Sequence, residues 1–369
     1  MKPLIGQSMY DLDTPALVLD VDVLQRNIAR MQEAADRAGL RMRPHIKAHK
    51  TPEIAHLQMR DGAAGVTAAK LSEAEVFATA GVEDIFIANE IVGERKVARL
   101  LALARRVPRL SVAVDCLDVA QPLSQAFARA GLTLDVVVEI DNGAGRCGVS
   151  EEGLVPLARE VGALPGLRLA GIMAYCSQGY QVRGDAGLRE VAAREGREMA
   201  AHAQRLRAAG IQVERISGGS TPTGPRYERG CGLTEIRPGT YCLNDYNQVD
   251  LGACGEADVA TAVLATVISR PSQERAIVDA GAKAMGTAAS PLSDGCGFMP
   301  GSPAKLVRLN DEHGYLDVRE LAQKPRVGHK VLLIPPRICT CLNLHDHLWV
   351  CREGRVEDVW RIAARGKVL

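Results

Sequence analysis

Long apolar runs are missing from this chain, and no stretch approaches the length needed to span a bilayer. The N-terminal MKPLIGQSMYDLDTP has no cationic segment followed by an apolar run, so no secretion signal is expected and the expected compartment is the cytoplasm. An excess of one charge is missing too. With 45 Lys and Arg against 44 Asp and Glu, the net charge is +1, which removes a broad electrostatic case for nucleic acid or an anionic membrane. The ten cysteines are scattered, with Cys339 and Cys341 the only close pair, and no zinc-finger spacing occurs; buried reduced thiols are expected. Four phenylalanines and two tryptophans leave few aromatic walls to assign to a pocket, so the side chain of any substrate is not readable here.

What is present is length and alternation. A chain of 369 residues exceeds the usual single-domain size, and two domains are expected. Ala16–Asp20 is a short apolar run followed by helical periodicity from Val23 to Ala38, and the unit repeats. Further strands are expected at 41–45, 65–69, 84–88, 110–115, 134–140, 167–174 and 213–217, with helices from 52, from 72 to 80, and near 94–106, 118–130, 151–162 and 185–209. About eight such units are the pattern of a closed parallel barrel. From about Ala257 the texture becomes β-rich, at 260–269, 276–279, 305–309, 330–334 and 348–351, with turn signals at Asp311-Glu-His-Gly314 and Arg352-Glu-Gly354. The expected fold is α/β, a (β/α)8 TIM-type barrel over 1–256, whose first residues have the β domain as a second place to pack, followed by an antiparallel β domain over 257–369.

Function is looked for where barrels keep it, in the loops after the strands. Arg43-Pro44-His45-Ile46-Lys47-Ala48-His49-Lys50 packs two lysines, two histidines and an arginine beside apolar structure. A lysine held among other cations loses part of its preference for the charged form and becomes nucleophilic near neutrality, the chemistry of a Schiff-base lysine. A solvated basic loop is the competing reading. Asp141-Asn-Gly-Ala-Gly-Arg-Cys-Gly148, Tyr175 and Ser217-Gly-Gly-Ser-Thr221 also follow strands. Small residues and hydroxyls can surround a phosphate with N–H groups, although Gly-Gly-Ser alone also reads as a tight turn.

These residues, with Asp13-Thr-Pro-Ala-Leu-Val-Leu-Asp20, Pro238-Gly-Thr-Tyr241, Asp311-Glu-His-Gly314, Asn343-Leu-His-Asp346 and the run from Asp358 to Gly366, resemble the D-threonine aldolase and D-serine dehydratase family. That family belongs to the alanine racemase-like pyridoxal phosphate enzymes of fold type III. The resemblance implies a barrel with a β domain, a homodimer, a small D-amino acid substrate, and pyridoxal 5'-phosphate carried on Lys47. It places Arg146 beside the cofactor's phenolic oxygen, Tyr175 in the site, and the phosphate on Ser217, Gly218, Gly219 and Ser220 with Tyr241 nearby. An arginine fork stays charged at any working pH and suits a phenolate or carboxylate; the competing readings are a surface arginine for Arg146 and a core aromatic for Tyr175.

Two departures from the family touch the groups expected to polarise and deprotonate a β-hydroxyl, and the first is at its divalent metal, which members of the family hold through a histidine and, two residues on, a cysteine or aspartate. Here the segment is Arg337-Ile-Cys339, and an arginine cannot give up a proton to bind a metal, so Cys339 alone is a poor site. After Tyr175, where a histidine is usual, this chain has Cys176. His345 and His347 read as exposed strand residues rather than replacement ligands. The expected function is a lyase cleaving or dehydrating D-3-hydroxy amino acids, with Lys47, Tyr175, Arg337 and Cys339 as catalytic candidates and Arg337 standing in for the metal's charge. The alternatives are a metal-independent racemase or epimerase and a non-catalytic carrier of the cofactor.

Overall fold

The first β-strand, β1 (Ala16–Asp20), is apolar on both faces, and it is followed directly by α1 (Val21–Ala38), whose apolar residues recur at helical spacing. In the computed structural model, which describes residues 4–287, 290 and 293–369, β1 does not enter the parallel sheet. It pairs antiparallel with β10 (Thr261–Ser269) and parallel with β16 (His347–Arg352). This corrects its reading as the first barrel strand. A run buried on both faces suits the middle of either sheet, and nothing local to it chooses between them. Met1, Lys2 and Pro3 of the N-terminal stretch lie outside the described residues.

The barrel is built from β2 (Arg41–Met42), β3 (Val66–Ala68), β4 (Asp84–Glu90), β5 (Arg109–Val114), β6 (Leu134–Ile140), β7 (Leu167–Ala174), β8 (Arg215–Gly218) and β9 (Glu235–Ile236). They hydrogen-bond in the order β2-β9-β8-β7-β6-β5-β4-β3, all parallel, and a further parallel bridge from His45 to Thr67 closes the ring. The strand replacing β1 in the ring is β9. At two residues, it is too short to show any periodicity of its own. The intervening helices α2 (Pro52–Arg60), α3 (Leu71–Thr79), α4 (Glu94–Ala104), α5 (Leu117–Arg129), α6 (Leu154–Ala163) and α7 (Gly184–Ala208) fall where the periodicity predicts them.

Inside the ring, an apolar layer is formed by Phe86, Ala113, Val137, Ala170 and Met173, with Ala88 against them. Toward the strand starts, fully buried Arg43 is held by Glu235 and Asp84, and Arg215 reaches Ser111 at 2.9 Å. The guanidinium groups of Arg215 and Arg237 lie 5.5 and 5.9 Å from the Phe86 ring centre. Charges in a barrel core survive only when paired and hydrogen-bonded, and these are.

The second sheet holds β1 with β10 (Thr261–Ser269), β11 (Arg275–Val278), β12 (Gly297–Phe298), β13 (Lys305–Leu309), β14 (Gly314–Asp317), β15 (Lys330–Leu333), β16 (His347–Arg352) and β17 (Arg355–Arg361). Apart from the β1–β16 contact its pairings are antiparallel. The same part of the chain carries three short helices, α8 (Tyr246–Asp250), α9 (Ala282–Met285) and α10 (Ile338–Leu342). By contacts the chain divides into one unit of Arg30–Lys47, Ile54–Gly239 and Lys367–Leu369, containing the barrel, and another of Met1–Ala29, Ala48–Glu53 and Thr240–Gly366. The boundary placed at 256 by texture falls instead at Thr240, because the Asp245 side chain ties 245–248 to Ile338 within the second unit. Among the described residues no helix is long and apolar enough to cross a membrane.

Candidate active site

Lys47 is placed by the backbone on both sides of the segment that leads to it. Arg43 and His45 donate to the carbonyls of Ile236 and Pro238 at 2.9 Å, while Pro44 accepts from Thr67 at 2.8 Å. With residues 43–45 so clamped between β9 and β3, the chain turns through the 3-10 segment Ile46–Ala48 that carries Lys47. The Lys47 ammonium lies 5.9 Å from the centre of the Tyr175 ring.

Arg146 reaches the same ring from the loop after β6. Its guanidinium carbon is 4.7 Å from the Tyr175 centre, within cation–π range. The loop has its own scaffold. Asp141 Oδ1 accepts from the N–H groups of Gly143 and Gly145, both at 3.0 Å, and Asp115 Oδ2 accepts from Gly148 at 3.3 Å. Gly148 has φ +110° and leaves no room for a Cβ, which would stand 2.4 Å from the Asp141 nitrogen. Half-exposed Arg146 also donates to Glu139 Oε1 at 3.3 Å.

The Ser217–Ser220 turn closes β8 beside the end of β7. Ser217 donates to Glu235 Oε1 at 2.7 Å and accepts from Arg237, whose other nitrogen donates to the Ala174 carbonyl at 2.7 Å. The loop differs from the expectation that its N–H groups stand clear for an anion. Gly219 N–H donates to Glu195 Oε1 at 2.8 Å, and Ser220 N–H donates to Thr223 Oγ1 at 3.0 Å. Glu195 comes from the buried face of α7 and also accepts from the Tyr227 hydroxyl. Burial raises the Glu195 carboxyl above the usual range, and burial with the neighbouring Glu195 charge raises Tyr227 well above its own.

Two groups here were not singled out from sequence. Glu139, almost fully buried near the end of β6, is pushed up to about 7, first by burial and then by the charge of Glu90, against Arg146 and Arg237. Arg237 is buried between Ser217 and Ala174. A signal existed for Glu139: it stands two residues after Val137 in an alternating strand, on the face that looks into the barrel.

Tyr241, Arg337 and Cys339 belong to the other unit. Tyr241 is buried in the turn Thr240–Cys242. Arg337 is exposed at the N-cap of α10, and Cys339 Sγ lies 3.7 Å from Thr240 Oγ1. His345 is not on a strand, contrary to expectation; it follows α10, is largely buried, and its Nε2 is 2.9 Å from the Ala284 carbonyl. His347 does open β16. Among the described residues, no group of three histidine, cysteine or acidic side chains within metal-binding reach of one another includes Cys339.

A parallel eight-stranded barrel with a lysine after its first strand and an antiparallel sheet from the rest of the chain define a class. Residues 19–246 match the alanine racemase N-terminal domain, and 260–351 match a putative serine dehydratase domain; the chain belongs to the alanine racemase-like family with this second domain. Within it, the chain is 41% identical to D-threonine aldolase of an Arthrobacter species over 98% of this chain and 95% of that protein. The solved structure of D-threonine aldolase from Filomicrobium marinum superimposes with a TM-score of 0.90 at 36% identity, covering 99% of both chains. D-threo-3-hydroxyaspartate dehydratase from Delftia sp. HT23 gives 0.89 at 33%, covering 96% of this chain and 98% of that one.

Proposed function

We propose that this chain is a pyridoxal phosphate-dependent lyase acting at Cα of D-3-hydroxy amino acids, with cleavage to glycine and an aldehyde as the principal reaction. The observation that carries the reading is the convergence of Lys47 and Arg146 on the Tyr175 ring at the ends of barrel strands, in a chain 41% identical to a D-threonine aldolase along almost its whole length. The donor set fits the cofactor: an amine, an aromatic face, a guanidinium fork for an anionic ring oxygen, and a turn of small residues and hydroxyls for a phosphate. Bound pyridoxal phosphate would supply an electron sink for the bonds at Cα.

The chain's own residues do the rest. Lys47 carries the cofactor and exchanges the proton at Cα from a position that its clamped backbone leaves little freedom to change. Arg146 holds charge where an anionic oxygen sits, since its fork donates in a fixed plane. Ser217, Gly218, Gly219 and Ser220 hold the phosphate. With Gly219 and Ser220 N–H already bonded within the protein, the Ser220 hydroxyl is the group in that turn best able to turn toward an added anion, since it shares only a 3.0 Å contact with Thr223. Arg337 binds an anionic group of the substrate as a charge-assisted pair, and the α10 segment works without a divalent metal. Arg337 has no lone pair to offer a metal, and among the described residues no set of three metal-binding side chains includes Cys339.

The deciding measurement is product analysis with D-threonine, D-serine, 3-hydroxy-D-aspartate and D-alanine, each with and without chelator. Glycine and acetaldehyde from D-threonine, unaffected by chelator, is the expected result. Racemised alanine with no cleavage of any hydroxy amino acid would replace the lyase with a racemase, and a loaded cofactor with no turnover of any of the four would leave a carrier.

A further inference from the structure

A cleft of about 460 Å³ opens within the barrel unit, between α7 and the segment 226–231 that follows the 217–220 turn. That volume is in the range of small-molecule sites, roughly 300–1,000 Å³. α7 contributes Arg189 and Arg197, eight residues apart and so on one helix face, and the facing segment contributes Arg226 and Arg229. The walls are held together by backbone contact. A Cβ on Gly196 of α7 would stand 2.3 Å from the carbonyl oxygen of Cys231, which lines the cleft, and one on Gly232 would stand 2.6 Å from the Gly196 carbonyl oxygen. Only glycines allow the helix and the loop to meet so closely.

The four guanidinium groups are not equivalent. Arg226, with 8% of its side chain exposed, is fixed by Asp185 Oδ1 at 3.0 Å and the Pro222 carbonyl at 2.7 Å, and Arg189 shares the same carboxylate at 2.6 Å. Arg197 and Arg229 are exposed and, among the described residues, make no ion pair, although Glu190 and Glu228 line the same cleft. Two such forks in one concave wall can close on phosphate oxygens as charge-assisted pairs, while the exposed acids turn to water. The buried wall is Tyr227. Its hydroxyl donates to Glu195 Oε2, and Glu195 Oε1 accepts the Gly219 N–H at 2.8 Å, so two hydrogen bonds lead from the cleft to the 217–220 turn.

We propose that this cleft binds a small phosphorylated molecule through Arg197 and Arg229, and that its occupancy is felt at the 217–220 turn through Tyr227 and Glu195. An anion drawing the segment 226–231 onto α7 seats Tyr227 against Glu195, and the carboxylate in turn holds the Gly219 backbone in place. The coupling is reciprocal, so a ligand that the turn holds also tightens the cleft. The second half of the proposal rests on the reading of that turn as the cofactor's phosphate site; the first half does not.

The test uses the full chain, loaded with pyridoxal phosphate, and inorganic pyrophosphate as the probe. Calorimetric titration is expected to show saturable binding, weakened about tenfold or more in the double variant Arg197→Gln/Arg229→Gln and tightened in Glu190→Gln, which removes a like charge. Equilibrium dialysis should show cofactor binding about fivefold or more tighter with pyrophosphate present. That gain should vanish in the double variant and in Tyr227→Phe, which still binds pyrophosphate. Absence of saturable binding, or binding indifferent to the two arginines, overturns the site. Pyrophosphate that weakens cofactor binding equally in the unmodified protein and the double variant is competing at the cofactor's own site, and overturns the coupling. A chain that takes up no pyridoxal phosphate fails the functional reading, and calorimetry on the protein as isolated then still decides whether the cleft is a site.

Discussion

Lys47 and Lys50 are three residues apart and differ in everything that matters to chemistry. Lys47 faces the Tyr175 ring from a 3-10 turn, whereas Lys50 is buried in the other unit with φ +51° and its Nζ 3.4 Å from the Ala364 carbonyl. Lys47→Ala should abolish visible absorption and activity together, while Lys50→Ala leaves the chromophore. A borohydride-reducible adduct persisting in Lys47→Ala would refute the assignment. Arg337 makes a second residue-level prediction. Replacing it with alanine should lower turnover and leave the visible spectrum of the loaded protein unchanged, and Arg337→His should create a response to added manganese, because the imidazole supplies the missing ligand two residues before Cys339. Loss of activity of the unmodified protein on dialysis against chelator, with recovery on adding manganese or zinc, would show that the metal-free reading is wrong.

At the scale of elements, the turn from Ser217 to Ser220 is governed by a helix it is not part of. Glu195 stands among Leu188, Val191, Ala192, Met199 and Leu206 on the buried face of α7, and there it accepts the Gly219 N–H and the Tyr227 hydroxyl. Gly219 itself has φ +75°, and a Cβ there would come 2.8 Å from the Ile236 side chain. Gly219→Val therefore combines a left-handed backbone, costing about 1–2 kcal/mol for such a residue, with a clash against β9. It should weaken cofactor affinity by about tenfold or more, measured by equilibrium dialysis, while turnover per bound cofactor changes far less. Glu195→Ala should do the same by a different route, removing the carboxylate that holds the Gly219 backbone and the Tyr227 hydroxyl in place and leaving that hydroxyl only its 3.2 Å contact with Thr223. Unchanged affinity in both variants would move the phosphate site elsewhere.

For the molecule as a whole, buried carboxyls set a pH dependence of stability with an uncommon sign. Glu139 and Asp245 both titrate at about 7 in the fold, in each case raised first by burial; for Asp245, burial outweighs the N–H groups of Ile338, Gln248 and Asn247. In the unfolded chain they ionise at ordinary values near ~4. The folded protein thus holds protons that the unfolded chain has lost. Their stabilisation is fully present below about pH 4 and is lost as pH rises through about 7, on the order of 3 kcal/mol for each group. Urea unfolding across this range should show Glu139→Gln losing less stability with rising pH than the unmodified protein. Parallel profiles for the two would mean that Glu139 is ionised in the fold.

The local pattern determined a great deal. The helices α1 to α7 lie where 3.6-residue periodicity puts them, Lys47, Arg146 and Tyr175 each follow a strand as read while Ser217 lies one residue inside the end of β8, and the turns at 311–314 and 352–354 join antiparallel strands. What the pattern could not choose was partners. β1 and β9 exchange places between the two sheets because a five-residue apolar run satisfies any central position, and a two-residue strand announces none. His345 looked like a strand residue because it alternates with His347, and only the carbonyl of Ala284, 61 positions away, explains its burial. The same holds for the charges inside the barrel. Arg43 finds Glu235 across 192 residues, and Arg215 finds Ser111 across 104. A side chain's periodicity is written within a few neighbours of it, whereas hydrogen-bond partners and the pKa shifts they impose arise from distant segments brought together, and those only the folded chain decides.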